Sequence, residues 1–284
     1  MPSILKKLLI TILIISSSVK VFSEYTADSL LIFASKQYKA GNYDLAIKEL
    51  LRVSFLMDSV APEIQMQLAD CYSLKGDWSN ARLYYDQVYR SSTDANLQTK
   101  ARFRKISSLI SESNYKQALI DLYSINDSLR KKNAVEVNLL FAICHFGLEE
   151  FEKSENYFKL AVGDNEQAQF KIDSVFNQKK LFRKPNPALA YTLSLIIPGL
   201  GQVYAGDVGE GLNSFFLTEA FLVLGLVVSF EYSLIDAVVT ILPWYQRYYL
   251  GGLDNSREIA TNKRQMRRSE AYKKILGIVK ETQQ

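Results

Sequence analysis

Histidine occurs once in this sequence, at position 145, and cysteine twice, at 71 and 144. With a single imidazole, no serine or carboxylate has a neighbour that would make it a nucleophile with its base, and a metal site is not expected. Charge of one sign is also missing: 34 basic against 30 acidic residues leave a formal net charge of +4, too mild to imply a nucleic-acid partner. Nor does a glycine loop replace the missing catalytic set. In "LSLIIPGLGQVYAGDVGEG", residues 193–211, Gly199, Gly201 and Gly206 lack the lysine and serine or threonine of a phosphate loop. They also lack the G-x-G-x-x-G spacing after a strand that a dinucleotide needs. The expectation is a protein that is not an enzyme and has no cofactor. At 284 residues the chain is long enough for one to three domains and needs no disulfide staples.

The N-terminus, "MPSILKKLLITILIISSSVKVFSEY", places Lys6 and Lys7 before the apolar stretch Leu8 to Ile15 and ends in Val21-Phe22-Ser23. This is the layout of a secretory signal peptide, assigned to residues 1–23. The apolar stretch is shorter than the roughly 20 residues that span a bilayer, so a permanent anchor is the weaker alternative. No cysteine lies near the site, so a lipoprotein anchor is not indicated.

Residues 24–165 repeat. Ala34, Gly41, Tyr43 and Ala46 recur as Ala69, Gly76, Trp78 and Ala81, a period of 35. Ile106 and Ala142 continue the first anchor series at steps of 37 and 36, while Ala118 and Ser154 continue the second. Ser113 and Glu149 stand where the turn glycine would be. Over about residues 27–162 the pattern resembles the tetratricopeptide repeat (TPR), a helix-turn-helix unit of about 34 residues. The resemblance implies an α-solenoid of about four helical hairpins with a concave groove lined by Leu31, Tyr38, Met66, Asp70, Phe103, Ser107, Ile110 and Phe146, able to take a protein or peptide partner. Several of these residues would instead face a neighbouring repeat if the register slips. Residues 166–184 supply a capping helix, with Ala168, Ile172, Val175 and Phe176 at helical spacing, and a linker. Cys71 and Cys144 fall two repeats apart and are expected as buried free thiols. His145 reads as a core residue with one hydrogen bond, and the neighbouring acids Glu149 and Glu150 as a solvated turn.

Residues 185–252 change character. Pro187–Ala205, Leu212–Phe230 and Ser233–Leu250 are almost free of charge and joined by short links, which reads as about three transmembrane helices. Pro198 should bend the first, with Gly199 and Gly201 admitting a close neighbour. Trp244, Tyr245, Tyr248 and Tyr249 look like an interfacial belt. Over about residues 186–264, "IIPGLGQVYAG" and "RYYLGGLDNSREIATNKR" are similar to a family of uncharacterised bacterial membrane proteins with a P-G-x-G-Q-x-Y motif, often joined to tetratricopeptide repeats. That resemblance brings no activity with it.

Three spans after an exported solenoid put the basic amphipathic tail, residues 253–284, in the cytoplasm, as its Arg and Lys content prefers. The cluster Lys179, Lys180, Arg183 and Lys184 disagrees, which keeps open a two-span arrangement with a re-entrant first segment. Gln202, Glu219 and Arg247 form a candidate intramembrane polar cluster, either as an ion pair or as a glutamate between helices with a snorkelling arginine. In the tail, Arg264, Arg267, Arg268, Lys273 and Lys274 flank an apolar stripe of Met266, Tyr272, Ile275, Leu276 and Val279. Such a helix suits an anionic lipid surface, or it is a soluble tail that fixes topology. The expected protein is all-α: a periplasmic solenoid scaffold for protein binding, fixed to the bacterial inner membrane. The alternative makes the membrane domain the active part, as an assembly or transport subunit.

Overall fold

A computed structural model of the chain describes residues 27–57 and 59–282; the expected signal peptide, residues 1–23, lies outside them. All regular structure among the described residues is helical, as expected. The chain divides into two compact units, one ending at Ser124 and the other beginning at Ile125.

The first unit holds three helical hairpins, consistent with a repeat solenoid: α1 (Ala27–Lys39) with α2 (Tyr43–Leu56), α3 (Pro62–Lys75) with α4 (Trp78–Ser91), and α5 (Ala95–Ser111) with α6 (Tyr115–Tyr123). The small residues that recur in the sequence, Ala34, Ala46, Ala69, Ala81 and Ala118, are all buried. A larger side chain at these crossings would overpack them at a cost of about 1–3 kcal/mol. Leu50, Val53, Leu68, Tyr85 and Val88 fill the space between the helices and are buried. Each aliphatic side chain removed from water in this way contributes about 1.5–3 kcal/mol.

The hairpin turns close in the same way whether or not they carry glycine. In the first hairpin Gly41 N–H donates to the Tyr38 carbonyl and Asn42 N–H to that of Gln37. The same pair recurs at Gly76 and Asp77, and at Ser113 and Asn114. This reciprocal closure of a helix C-terminus requires a left-handed residue. Gly41 and Gly76 adopt φ of 79° and 83°, and Ser113 is held at 60° without being glycine.

The second unit begins with the short α7 (Asp127–Lys132). A fourth hairpin follows, α8 (Ala134–Gly147) with α9 (Phe151–Val162), and then α10 (Glu166–Phe176) and a 3-10 turn at Lys179–Arg183. The fourth hairpin therefore sorts with the C-terminal half rather than with the other repeats. Its turn closes as theirs do, through Glu149 at φ 62°. Phe146, Phe151 and Phe158 share a core with Ala168, Ile172 and Phe176 of α10, the expected capping helix. That core is completed from the far end of the chain by Ala271, Ile275 and Val279.

The remaining elements are α11 (Pro187–Ile196), α12 (Leu200–Tyr204), α13 (Val208–Glu231), α14 (Leu234–Thr240) and α15 (Leu242–Thr282). The first expected span is thus not one bent helix. Pro198 and Gly199, the latter at φ 87°, break it into α11 and α12, neither of which is long enough to cross a bilayer. Val208–Glu231 is the one helix among the described residues long and apolar enough to do so. The third expected span is divided between α14 and the start of α15, where Pro243 lacks the N–H that would bond back into the preceding turn.

The α13 helix and the chain that returns through α14 and α15 run antiparallel. Asn255 Nδ2 donates to Glu210 at 3.2 Å, Phe221 stacks on Tyr248 at 5.1 Å, and Gly225 faces Ile241. Beyond Gly252 the 41-residue α15 continues to the fourth hairpin, a length of about 62 Å.

Candidate functional sites

In the first unit, the first helices of the three hairpins and Tyr85 of α4 contribute a polar cluster. Asp70 on α3 accepts a hydrogen bond of 2.6 Å from the Tyr85 hydroxyl and faces Arg104 on α5 at 3.8 Å. Tyr38 on α1 lies close enough for burial, and then the Asp70 carboxylate, to raise its hydroxyl pKa. Burial and the same hydrogen bond raise that of Tyr85. Asp70 stays partly open to solvent and Arg104 is half exposed, so the cluster presents an acceptor and a cation at the surface.

Of the eight expected groove residues, Leu31, Tyr38, Asp70, Ser107 and Ile110 are only partly buried and remain available. Met66 and Phe103 are buried, Met66 in the core with Ala69, Ala81 and Tyr85. Phe146 lies in the core of the second unit. The register differs there because helix positions with an apolar side chain turn towards the neighbouring helices. Tyr85 and Arg104 were not expected; the signal for them was Asp70 itself, a carboxylate on a helix face that needs partners.

The P-G-x-G-Q-x-Y segment is a structural tie. Gln202 is fully buried. Ser194 Oγ donates to its Oε1 at 2.9 Å, Gly201 N–H donates to Ser194 Oγ at 3.0 Å, and Gln202 Nε2 donates to the Gly252 carbonyl at 2.8 Å. These bonds hold α11, α12 and α15 together. At one end Asn186 N–H donates to the Tyr204 hydroxyl, and at the other Tyr249 donates to the Leu195 carbonyl that the helix break leaves over. Gly199, Gly201 and Gly211 sit where these backbones nearly touch: a Cβ on Gly211 would stand 2.5 Å from Val203 Cγ2.

The polar cluster expected around Gln202 does not assemble. Glu219 is partly buried, Arg247 is exposed, and the two make no ion pair with each other or with any other described residue. Gln202 bonds to Ser194 and Gly252 instead of to either.

The basic tail is packed against protein. Arg264 and Arg268 both reach Glu149 Oε1, at 2.7 and 3.0 Å, while Arg267 donates to the Lys184 carbonyl and Lys273 and Lys274 are exposed. Ile275 and Val279 are buried in the core with Phe146, and Tyr272 and Leu276 pack on its edge. Met266 is exposed. The apolar stripe thus faces the fourth hairpin and α10, and a three-span arrangement would have to place the two sides of this one core across a bilayer.

His145 is buried against Tyr157, which stacks in turn on Phe141, with Nδ1 2.6 Å from Glu150. Lys153, and then His145, hold the Glu150 carboxyl below its usual value. Among the described residues no three His, Cys, Asp or Glu side chains are grouped to hold a metal ion. Comparison with known proteins finds neither a matching family model nor a similar curated protein.

Proposed function

We propose that the chain is a membrane-anchored scaffold: a TPR-like platform that binds a protein or peptide segment, held at a bacterial inner membrane by its second unit. The supporting observation is the surface of the α13 hairpin. Phe230 is 88 % exposed, Ile235 74 % and Val239 68 %, amid exposed Leu222, Val223, Leu226, Val227 and Val238. Only 11 % of the apolar window of α13 is buried, which is the opposite of a soluble core helix, and a soluble monomer rarely leaves so continuous an apolar surface open. Lipid is the covering that fits.

The hairpin crosses and returns in this reading, while the short α11 and α12 pair enters part of the way from the same side. Two crossings keep the fourth hairpin and the tail together, in agreement with their shared core. The signal-peptide reading of residues 1–23 favours the periplasm for that common side. A second reading assigns it to the cytoplasm, because Lys180, Arg183, Lys184 and Lys263 gather there while the far turn carries Glu231 and Asp236. Fusions of a reporter active only outside the cytoplasm, after residue 165 and at the C-terminus, test both. Activity at both points supports the first orientation, silence at both selects the second, and activity at one alone overturns the two-crossing arrangement. For the platform, Asp70→Ala with Arg104→Ala should abolish capture of the partner that the intact protein retains after cross-linking in its native membrane. Unchanged capture would move the binding surface elsewhere.

A further inference from the structure

In the second unit a pocket of about 540 Å³ opens between the 3-10 turn and the start of α11. Its wall carries Lys179, Lys180, Arg183 and Lys184, its one acid is Glu152, and Leu189 forms an apolar lip. Two of the four cations are already engaged. Lys179 bonds to Glu155 at 3.0 Å, and Arg183 donates to the Glu149 carbonyl and lies over the Phe151 ring. Lys180 and Lys184 are exposed and make no ion pair with any described residue. Past the lip, α11 carries the exposed apolar side chains Leu195 and Ile196 and runs beside α15 towards Tyr249, the level at which the apolar hairpin begins.

We propose that this pocket takes the phosphate headgroup of an anionic phospholipid, with Lys180 and Lys184 on the phosphate and the acyl chains lying along the outer face of α11. The proposal rests on the membrane-anchor reading. The chemistry is specific in two respects. The unspent positive charge selects an anion over a zwitterion, and the apolar continuation favours an anion that carries hydrocarbon over one that does not. It also accounts for a cationic cluster placed directly before an apolar segment, where the sequence alone finds a disagreement with the tail.

The test uses the full chain in bilayer discs of phosphatidylcholine doped with phosphatidylglycerol, released gently into a mass spectrometer to count retained lipids. The wild-type protein should retain phosphatidylglycerol in excess of its share of the disc. K180A/K184A should lose that excess by about tenfold or more, given the usual contribution of a basic residue near a charged leaflet, with an unchanged melting temperature. K273A/K274A removes equal charge from the exposed tail and should retain the lipid. Loss of the excess in the tail variant but not in the pocket variant would overturn the proposal, as would equal retention in all three. Displacement of the lipid by millimolar inorganic phosphate would show a site for the free ion and would also overturn it. Failure of the wild-type protein to enter discs at all would refute the anchor reading, whereas entry without lipid preference would refute the pocket alone.

Discussion

Gly201 and Gly251 both lie inside helices, yet the same substitution should move stability in opposite directions at the two. Replacing a helical glycine by alanine removes backbone freedom from the unfolded chain and is worth about 0.8–1 kcal/mol where the site is open. Gly251 is open, with nothing within 4 Å of the point where a Cβ would stand, so Gly251→Ala should stabilise by about that amount. At Gly201 the new Cβ would overlap the Ala190 carbonyl oxygen and stand 2.5 Å from Ser194 Oγ and 2.7 Å from the Ala190 carbonyl carbon. Two of those three atoms are backbone and have no rotamer to change. Relief requires α11 and α12 to separate, which strains the bonds from Ser194 to Gly201 and Gln202. Overpacking against a rigid neighbour costs about 3 kcal/mol or more, and subtracting the propensity gain leaves a net loss of about 2 kcal/mol. Thermal unfolding of the purified full chain in detergent is the assay. A loss of about 4–8 °C for Gly201→Ala, against no loss for Gly251→Ala, is expected for a unit of this size. Equal melting temperatures for the two variants would refute the idea that the glycine is there for close approach.

Three further outcomes follow from the first unit and the thiols. Ser113→Gly should stabilise the third hairpin by about 1 kcal/mol, since it relieves a left-handed residue that carries a Cβ; a lower melting temperature would show that the serine side chain earns its place otherwise. Tyr85→Phe should destabilise by about 1.5–3 kcal/mol, because it removes the donor to a partly buried carboxylate, and Asp70→Asn in the same background should recover part of the loss in urea unfolding. Burial raises Cys144 and Cys71 to about 12, in Cys71 with added repulsion from Asp70, so at pH 8 only about one thiol in ten thousand is ionised. An aromatic disulfide reagent should therefore label neither cysteine in the native protein and both in denaturant; rapid native labelling would contradict the burial.

The periodic features of this fold are legible in sequence because they are local. Alanine at a crossing and an aromatic residue four positions on are consequences of helix geometry, and the turn at 113 is found despite its serine because the flanking anchors keep their spacing. A distortion at Pro198 is legible too, but as a bend in one helix and not as the break that divides it into two. What a local pattern omits is the identity of the partner. The tail's stripe at Ile275 and Val279 correctly marks a face withdrawn from water, but lipid and a protein core impose the same periodicity. Glu149 shows the same limit more sharply. In sequence it occupies a turn position that glycine would fill at less strain. Its side chain is engaged by Arg264 and Arg268, which are more than a hundred residues away and invisible to any window around the turn. The groove is harder to read: Met66 and Asp70 stand one turn apart on the same side of α3, yet Met66 is buried with Ala69, Ala81 and Tyr85 while Asp70 stays partly open, a difference set by the neighbouring helices. The 41-residue helix is hidden because its apolar side changes partner along its length, from α13 to α11 and then to α10, so no single periodic stripe runs through it.

That helix makes the second unit a mechanical lever. At about 62 Å it reaches from the Phe221 and Trp244 stack to the core around Phe146, and no glycine pair or proline interrupts it between Asn255 and Gly277. A rod of that length converts a tilt of about 5° at one end into a displacement of about 5 Å at the other. The Arg264 and Arg268 contacts to Glu149 sit where such a swing would first be felt, at the turn of the fourth hairpin. On the proposed anchor, bilayer thickness or lateral pressure acting on the apolar end would be transmitted towards a turn already held in a left-handed conformation, with the Gly251 and Gly252 pair as the place along the helix where bending would absorb part of it.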